Sequence, residues 1–218
     1  MKAIISSLLV KIFIKKSKII SNEKIGEKFS LLTIAFPKKR TWIAGDKIQI
    51  KISSSSMRSY TPINFKDEKI FTTLIYLPLK GPGTNWANQV KANQKVEIYG
   101  PRHSLQLANE KEYIFFGDET SIGLYIALKE HFKIVDYLFE VHSKNEVEQV
   151  IKYYCLDDSK FHESSIDVSK ENLAHILSTY TDKTFILSGN KQSIEILSKL
   201  LYEKGLSQIL KRPYWGKR

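Results

Sequence analysis

The sequence predicts a two-domain β + α/β protein, an N-terminal antiparallel six-stranded β-barrel followed by a parallel α/β domain. From about residue 17 to residue 100 short runs rich in β-branched and aromatic residues are punctuated by the turn formers Asn22, Gly26, Pro37, Gly45 and Asn93. Such closely spaced short strands mark a small barrel. From about residue 110 strand-like and helix-like runs alternate, the pattern of a parallel sheet covered by helices. Between the halves, "YGPRHSLQLANEK" gathers glycine, proline and polar residues, which places the boundary at 1–106 and 107–218. No internal repeat is present.

The barrel strands are read as "SKIISNEKI", "FSLLTIAF", "DKIQIKIS", "MRSYTPINF", "KIFTTLIYL" and "QKVEIYG". "GPGTNWANQVKANQ" interrupts them as a short helix, with Thr84 as its expected N-cap. In the second half "EYIFFGDE", "KIVDYLFEVHS", "IKYYCLD" and "KTFILSGN" read as strands. "TSIGLYIALKEHF", "NEVEQVI", "SKENLAHILSTY" and "KQSIEILSKLLYEKG" read as helices.

With 218 residues, 42% of them apolar, the chain can bury two cores and is not disordered. Lysine and arginine total 34 against 23 acids, a net charge of +11. That balance favours anionic partners: nucleic acid, anionic lipid, nucleotide cofactors or acidic small molecules. Cys155 is the single cysteine. It excludes an intramolecular disulfide and an iron–sulfur cluster held by four cysteines, and no zinc-type Cys/His spacing exists. A reducing compartment, the cytoplasm, is expected. "MKAIISSLLVKIFIKKSK" is broken by Lys11 and falls short of the ~20 apolar residues that span a bilayer. It reads as a short helix leading into a strand, with a membrane-surface or export role as the alternative, and without stable membrane insertion.

Three segments carry chemistry. In Arg58-Ser59-Tyr60-Thr61, alternation puts Arg58 and Tyr60 on one strand face. A guanidinium binds phosphate in bidentate fashion and a tyrosine ring offers a stacking surface. Gly81, Pro82, Gly83, Thr84 and Trp86 open a helix whose start offers N–H groups and partial positive charge to a phosphate. "FFGDETSIG" ends a buried strand at Gly117 and begins a helix near Thr120, where ligands bind in open α/β sheets. Asp118 and Glu119 there are either a catalytic acid pair or acids that complement a helix dipole.

In this order, Arg58-Ser59-Tyr60-Thr61-Pro62, "GPGTNWA", "GPRHS", "GDET" and "PYWGKR" resemble the siderophore-interacting proteins, FAD-dependent ferric-siderophore reductases of the ferredoxin-reductase superfamily. The resemblance spans residues 15 to 218. It implies an FAD-binding barrel (1–106) and an NAD(P)H-binding α/β domain (107–218). Arg58 would hold the FAD pyrophosphate, Tyr60 would stack on the isoalloxazine and Thr61 would contact its N5 side. Gly83, Thr84 and Trp86 would form the phosphate-binding helix start. Gly117, Asp118, Glu119 and Thr120 would face the nicotinamide nucleotide, and Trp215 would approach the flavin from the C-terminal tail. The sequence departs from the family at Pro78, where a histidine is common before the Gly-Pro segment. It departs again at His103 in place of glycine, and at Asn190, where Ser188-Gly189-Asn190 lacks the usual glutamate.

The implied partner is a ferric siderophore or another ferric chelate, met by a monomer, with no nucleic acid. Electrons would pass from NAD(P)H through FAD to Fe(III). Lys211, Arg212, Lys217 and Arg218 are candidate substrate contacts. Lys144 is a candidate for a 2′-phosphate. Hydride transfer needs no protein acid or base, so His103, His131, His142, His162 and His175 are read as surface or structural residues. A general NAD(P)H flavin or ferredoxin-type reductase is the alternative on the same fold. A nucleic-acid-binding basic barrel is the alternative of another class.

Overall fold

The computed structural model describes residues 15–78, 81–164 and 169–215. The helix expected at the N-terminus, and Lys217 and Arg218, lie outside the described residues. The chain divides into two compact units, residues 1–24 with 29–104, and residues 25–28 with 105–218.

The first unit is built from β1 (Lys15–Ile25), β2 (Phe29–Ala35), β3 (Lys47–Lys51), β4 (Met57–Tyr60), β5 (Asn64–Lys66), β6 (Ile70–Tyr76), α1 (Pro82–Gln89) and β7 (Lys95–Arg102). Its sheet runs β4-β3-β7-β1-β2-β6-β5. Seven strands replace the expected six because residues 57–65 are two strands, not one. Pro62 has no N–H to continue a ladder. After it, the Ile63 N–H donates to the Thr72 carbonyl at 2.8 Å and β5 pairs with β6. The Thr73 hydroxyl donates to the Thr61 carbonyl at 2.9 Å, tying the two ends of the sheet together and closing the barrel. Closure leaves no long free edge. The interior holds Ile19, Leu32, Ile34, Ile48, Ile50, Phe71, Ile75, Val96 and Ile98, joined by Ala87 of α1. In β3 the alternation is direct: Ile48 and Ile50 are buried, and the three residues between and beside them are half-exposed.

The second unit contains β8 (Glu112–Gly117), a 3-10 turn (Glu119–Ser121), α2 (Ile122–Lys129), β9 (Lys133–Val141) and α3 (Lys144–Tyr153). β10 (Phe161–Glu163), α4 (Lys170–Leu177), β11 (Thr184–Asn190), α5 (Lys191–Glu203) and β12 (Ile209–Trp215) follow. The sheet order is β10-β9-β8-β11-β12, and every ladder is parallel. The order reverses between β8 and β11, so the carboxyl ends of these two strands form the crevice where such sheets bind ligands. One face buries Ile114, Phe116, Phe185 and Leu187 against Leu173 and Leu177 of α4 and Ile194, Leu197 and Leu201 of α5. The other carries an aromatic layer, with Phe139 stacked on Phe161 at 4.9 Å and Phe115 beside Tyr125 at 5.4 Å.

Two expectations are corrected here. "IKYYCLD" is not a strand: α3 continues through Tyr153, and the third strand comes later, at β10. Val147, Val150 and Ile151 are buried at helical spacing, and that period overrides the local β-propensity of the tyrosines. The C-terminal "tail" is β12, paired with β11 from Phe185↔Ile209 to Asn190↔Trp215. Its Pro213 is tolerated because β12 is an edge strand. Arg212 is buried, with its guanidinium 5.4 Å from the Tyr214 ring. Lys211 lies 5.7 Å from the Tyr202 ring. Neither is a solvated chain end. Among the described residues no helix is long and apolar enough to cross a membrane.

Candidate functional site

In the first unit the fold brings two sequence motifs into contact. Arg58 and Tyr60 lie opposite Ile50 and Ile48 in the β3–β4 register. Arg58 is exposed, and its Nη1 donates to Ser56 Oγ and to the Met57 carbonyl, each at 2.9 Å. Tyr60 is half-buried and stacks on Trp86 of α1, with ring centroids 6.4 Å apart. Burial pushes the Tyr60 hydroxyl up to about 12, against a smaller pull from Arg58, so it remains a neutral phenol at physiological pH. Ser59 is exposed opposite Gln49. Thr61 is buried at the barrel closure.

The helix start differs from expectation in one respect. Gly81, not Thr84, is the N-cap, with Pro82 at the first helical position and no side chain capping the helix. Proline there sacrifices no hydrogen bond. Gly83 is where α1 meets β4. A Cβ on it would sit 3.3 Å from both Arg58 Cγ and the Tyr60 hydroxyl. The missing side chain lets the helix start come against the guanidinium and the phenol. A cation, two stacked aromatic rings and an uncapped helix start therefore share one place. Such a set accepts a phosphorylated, planar aromatic molecule.

In the second unit the expected residues meet at the switch point. Asp118 is buried beyond β8. Its Oδ1 accepts from the Thr120 N–H at 3.0 Å, the Thr120 hydroxyl at 2.5 Å and the Ser121 hydroxyl at 3.2 Å. Its Oδ2 accepts from the Trp215 indole at 2.8 Å. Burial pushes its carboxyl above the usual range while these four donors pull it back. Gly189, at φ +110°, lies directly against this carboxylate: a Cβ there would be 2.3 Å from Asp118 Cγ. Gly117 has no room for a Cβ either, with the Phe115 ring and Ser121 Cβ at 2.8 Å. Ser121 Oγ lies 3.0 Å from Ser188 Oγ, which ties the β8 turn to β11. Asn190 accepts from the Ser193 N–H at 3.0 Å and so caps α5, a sufficient role for asparagine at this place. The Ser121–Ser188 contact and the β12 strand were not legible in the sequence, because both depend on pairing between distant segments.

Glu119 is not a free catalytic acid. It is buried, and its Oε1 accepts from the His142 backbone N–H beyond β9. Burial raises its carboxyl to about 7 from an ordinary 4.5, although hydrogen bonds oppose the shift. The folded state thus holds a proton that the unfolded state has lost between these values, and stability falls as pH rises through that window. Glu119→Gln keeps an acceptor and removes the charge. It is expected to stabilise the protein at pH 8 by about 3 kcal/mol at most and to do little at pH 5. Urea unfolding at both pH values checks this, and an equal effect at the two would contradict it. At the start of α3, the Lys144 N–H donates to Glu163 Oε1 at 2.7 Å, so a carboxylate already occupies the helix end beside the candidate 2′-phosphate cation.

No family model matches the chain, and no curated protein matches it by sequence. Solved structures do. The siderophore-interacting protein from Acinetobacter baumannii superposes with a TM-score of 0.74 at 14% identity, over 94% of this chain and 91% of that one. A ferredoxin NADP+ reductase from Neisseria gonorrhoeae, solved with bound FAD and NADP, gives 0.71 at 13% identity, over 93% and 99%. Full-length CYP116B46 from Tepidiphilus thermophilus gives 0.75 at 17% identity over 94% of this chain, which spans 29% of that protein. The fold is the two-domain ferredoxin-reductase type.

Proposed function

We propose that the chain is an FAD-dependent reductase that passes electrons from NAD(P)H to the Fe(III) of a ferric siderophore or a similar ferric chelate, for iron release. The observation that carries the reading is the approach of the α1 start to Arg58 and Tyr60 through Gly83. FAD, when bound, supplies the hydride acceptor and the single-electron donor that this reaction needs.

Each side chain has a task on this reading. Arg58 neutralises the pyrophosphate, helped by the Gly81–Thr84 helix start. Tyr60, braced by Trp86, presents a ring to the isoalloxazine, and Ser59 and Thr61 border it. The turn of Gly117, Asp118, Glu119 and Thr120 shapes the nicotinamide nucleotide site at the switch point. Asp118 spends its charge on internal donors, which keeps it from repelling a nucleotide phosphate, and it holds Trp215 in place. Hydride transfer asks for no acid or base from these residues.

The similarity to a siderophore-interacting protein supports the ferric acceptor, and the ferredoxin reductase supports the same electron path toward a different one. Purified protein is expected to bind FAD and to show flavin bands that bleach with NADH or NADPH. It should then turn over ferric chelate faster than free flavin or ferredoxin. Tyr60→Ala should shift and broaden the bound-flavin bands. Failure to reduce any ferric chelate would sink the siderophore reading. Failure to bind added FAD would sink the reductase itself.

A further inference from the structure

The barrel contains a second polar pair that the cofactor site does not use. Asp46 precedes β3 and is buried, and its Oδ1 lies 2.7 Å from Nδ1 of His103. Its Oδ2 accepts from the Ile43 N–H at 3.1 Å. With both carboxylate oxygens engaged, Asp46 fixes the tautomer and direction of the ring, Nδ1 being the donor to the carboxylate. The imidazole itself stays 64% exposed. The Ser104 hydroxyl donates to the Gly45 carbonyl at 2.9 Å and pins the next residue, so the segment carrying His103 is held from both sides of the pair. A buried carboxylate that orients an exposed imidazole is the arrangement that makes histidine an effective proton carrier. A histidine that merely completed the packing would be covered.

The register places this pair. Arg58 lies opposite Ile50, Tyr60 opposite Ile48, and on the other side of β3 Ile50 faces Ile98 while Lys47 faces Arg102. Moving along the sheet from Arg58 through Tyr60 to Thr61 leads to the row of Lys47 and Arg102, and one step further to Asp46 and His103. In the proposed function that direction runs from pyrophosphate to isoalloxazine. On that reading the pair stands beyond the ring end of the cofactor, with Asp46 on the β3 line beside β4 and His103 on the β7 line two strands away, roughly 10 Å from the β4 line. That is the span of a small metal chelate rather than of a direct contact with the flavin.

Resting on that function, we propose that His103, oriented by Asp46, is a catalytic proton donor to the oxygen ligands of the ferric chelate. Bound FAD would supply the single electron that turns Fe(III) into Fe(II), upon which an Fe–O bond to the chelator breaks. The oxygen keeps the bonding pair and takes the proton from Nε2 of the imidazolium. The neutral imidazole recovers a proton from water. Chelators that bind iron through ionised oxygens, hydroxamates above all, need this proton for release, whereas acceptors that take an electron alone do not. Lys47 and Arg102 form the adjoining row, and alternation turns their side chains to the opposite strand face, Arg102 lying 5.6 Å from the Tyr99 ring.

The test uses the FAD-loaded protein and His103→Gln, whose side-chain amide keeps a donor for Asp46. NAD(P)H bleaching of the flavin is expected to be the same in both. With ferric acetohydroxamate, kcat should fall about 10- to 100-fold in the variant. Reduction of ferricyanide, which releases no protonated ligand, should be unchanged. In the flavin-free protein, the His103 imidazole NMR signal should move on addition of redox-inert gallium acetohydroxamate. Equal kcat for parent and variant, or an unmoved His103 signal, overturns the assignment while leaving the reductase standing. A parent that bleaches with NAD(P)H yet reduces no ferric chelate overturns both.

Discussion

Replacing Arg58 with alanine is expected to weaken FAD binding about 10- to 100-fold. The exposed guanidinium is the cation at the α1 start, and charge-assisted hydrogen bonds to a phosphate are worth about 1.5–3 kcal/mol, a factor of ten for each 1.4 kcal/mol. Its present partners, Ser56 Oγ and the Met57 carbonyl, aim the group without neutralising it. Arg58→Lys should recover only part of the affinity, since an ammonium lacks the planar fork. Titration of flavin-free protein with FAD, read by flavin fluorescence quenching, measures both. Because Arg58 is exposed, the alanine variant should unfold at the same temperature as the parent. Parental FAD affinity in both variants would return the segment to an ordinary strand end before Pro62.

Gly189→Ala is expected to be the most destabilising single methyl in the second unit. The new Cβ would fall 2.3 Å from Asp118 Cγ, at a φ of +110° that disfavours any side chain. Asp118 would have to move, and with it the bonds from Thr120, Ser121 and Trp215. Loss of a buried network with added backbone strain costs about 3 kcal/mol or more. For a chain of this size that lowers Tm by roughly 6–12 °C. Trp215 should become more solvent-exposed, seen as a red shift of its emission. Adding Asp118→Ala removes the clashing carboxylate, so the double variant should lose less than the two single losses summed. Strict additivity would show that Gly189 and Asp118 do not interact as described.

Much of the architecture could be read directly. The change from period 2 to period 3.6 near residue 110 reports which faces are apolar, and those faces became the barrel interior and the two layers on the parallel sheet. Where reading failed, a local preference met a non-local one. The tyrosines of "IKYYCLD" favour a strand, but Val147, Val150 and Ile151 had a sheet to cover, so the helix ran on. "ILKRPYW" looked like a charged tail until β11 offered it an edge.

The candidate site divides in the same way. Arg58, Tyr60, the Gly81–Trp86 helix start and the "GDET" turn could be named from residue types and spacing, because phosphate, aromatic rings and helix ends make local chemical demands. Sequence could not say that Gly83 brings the α1 start against Arg58 and Tyr60. Nor could it say that the indole of Trp215, 97 residues away, satisfies Asp118, or that Asp46 aims His103 from 57 residues away. Local sequence sets periodicity, charge and turn chemistry, and through them the elements. Which distant groups satisfy each buried polar atom is decided only when the sheets close, since a desolvated carboxylate takes whatever donors the packing places beside it.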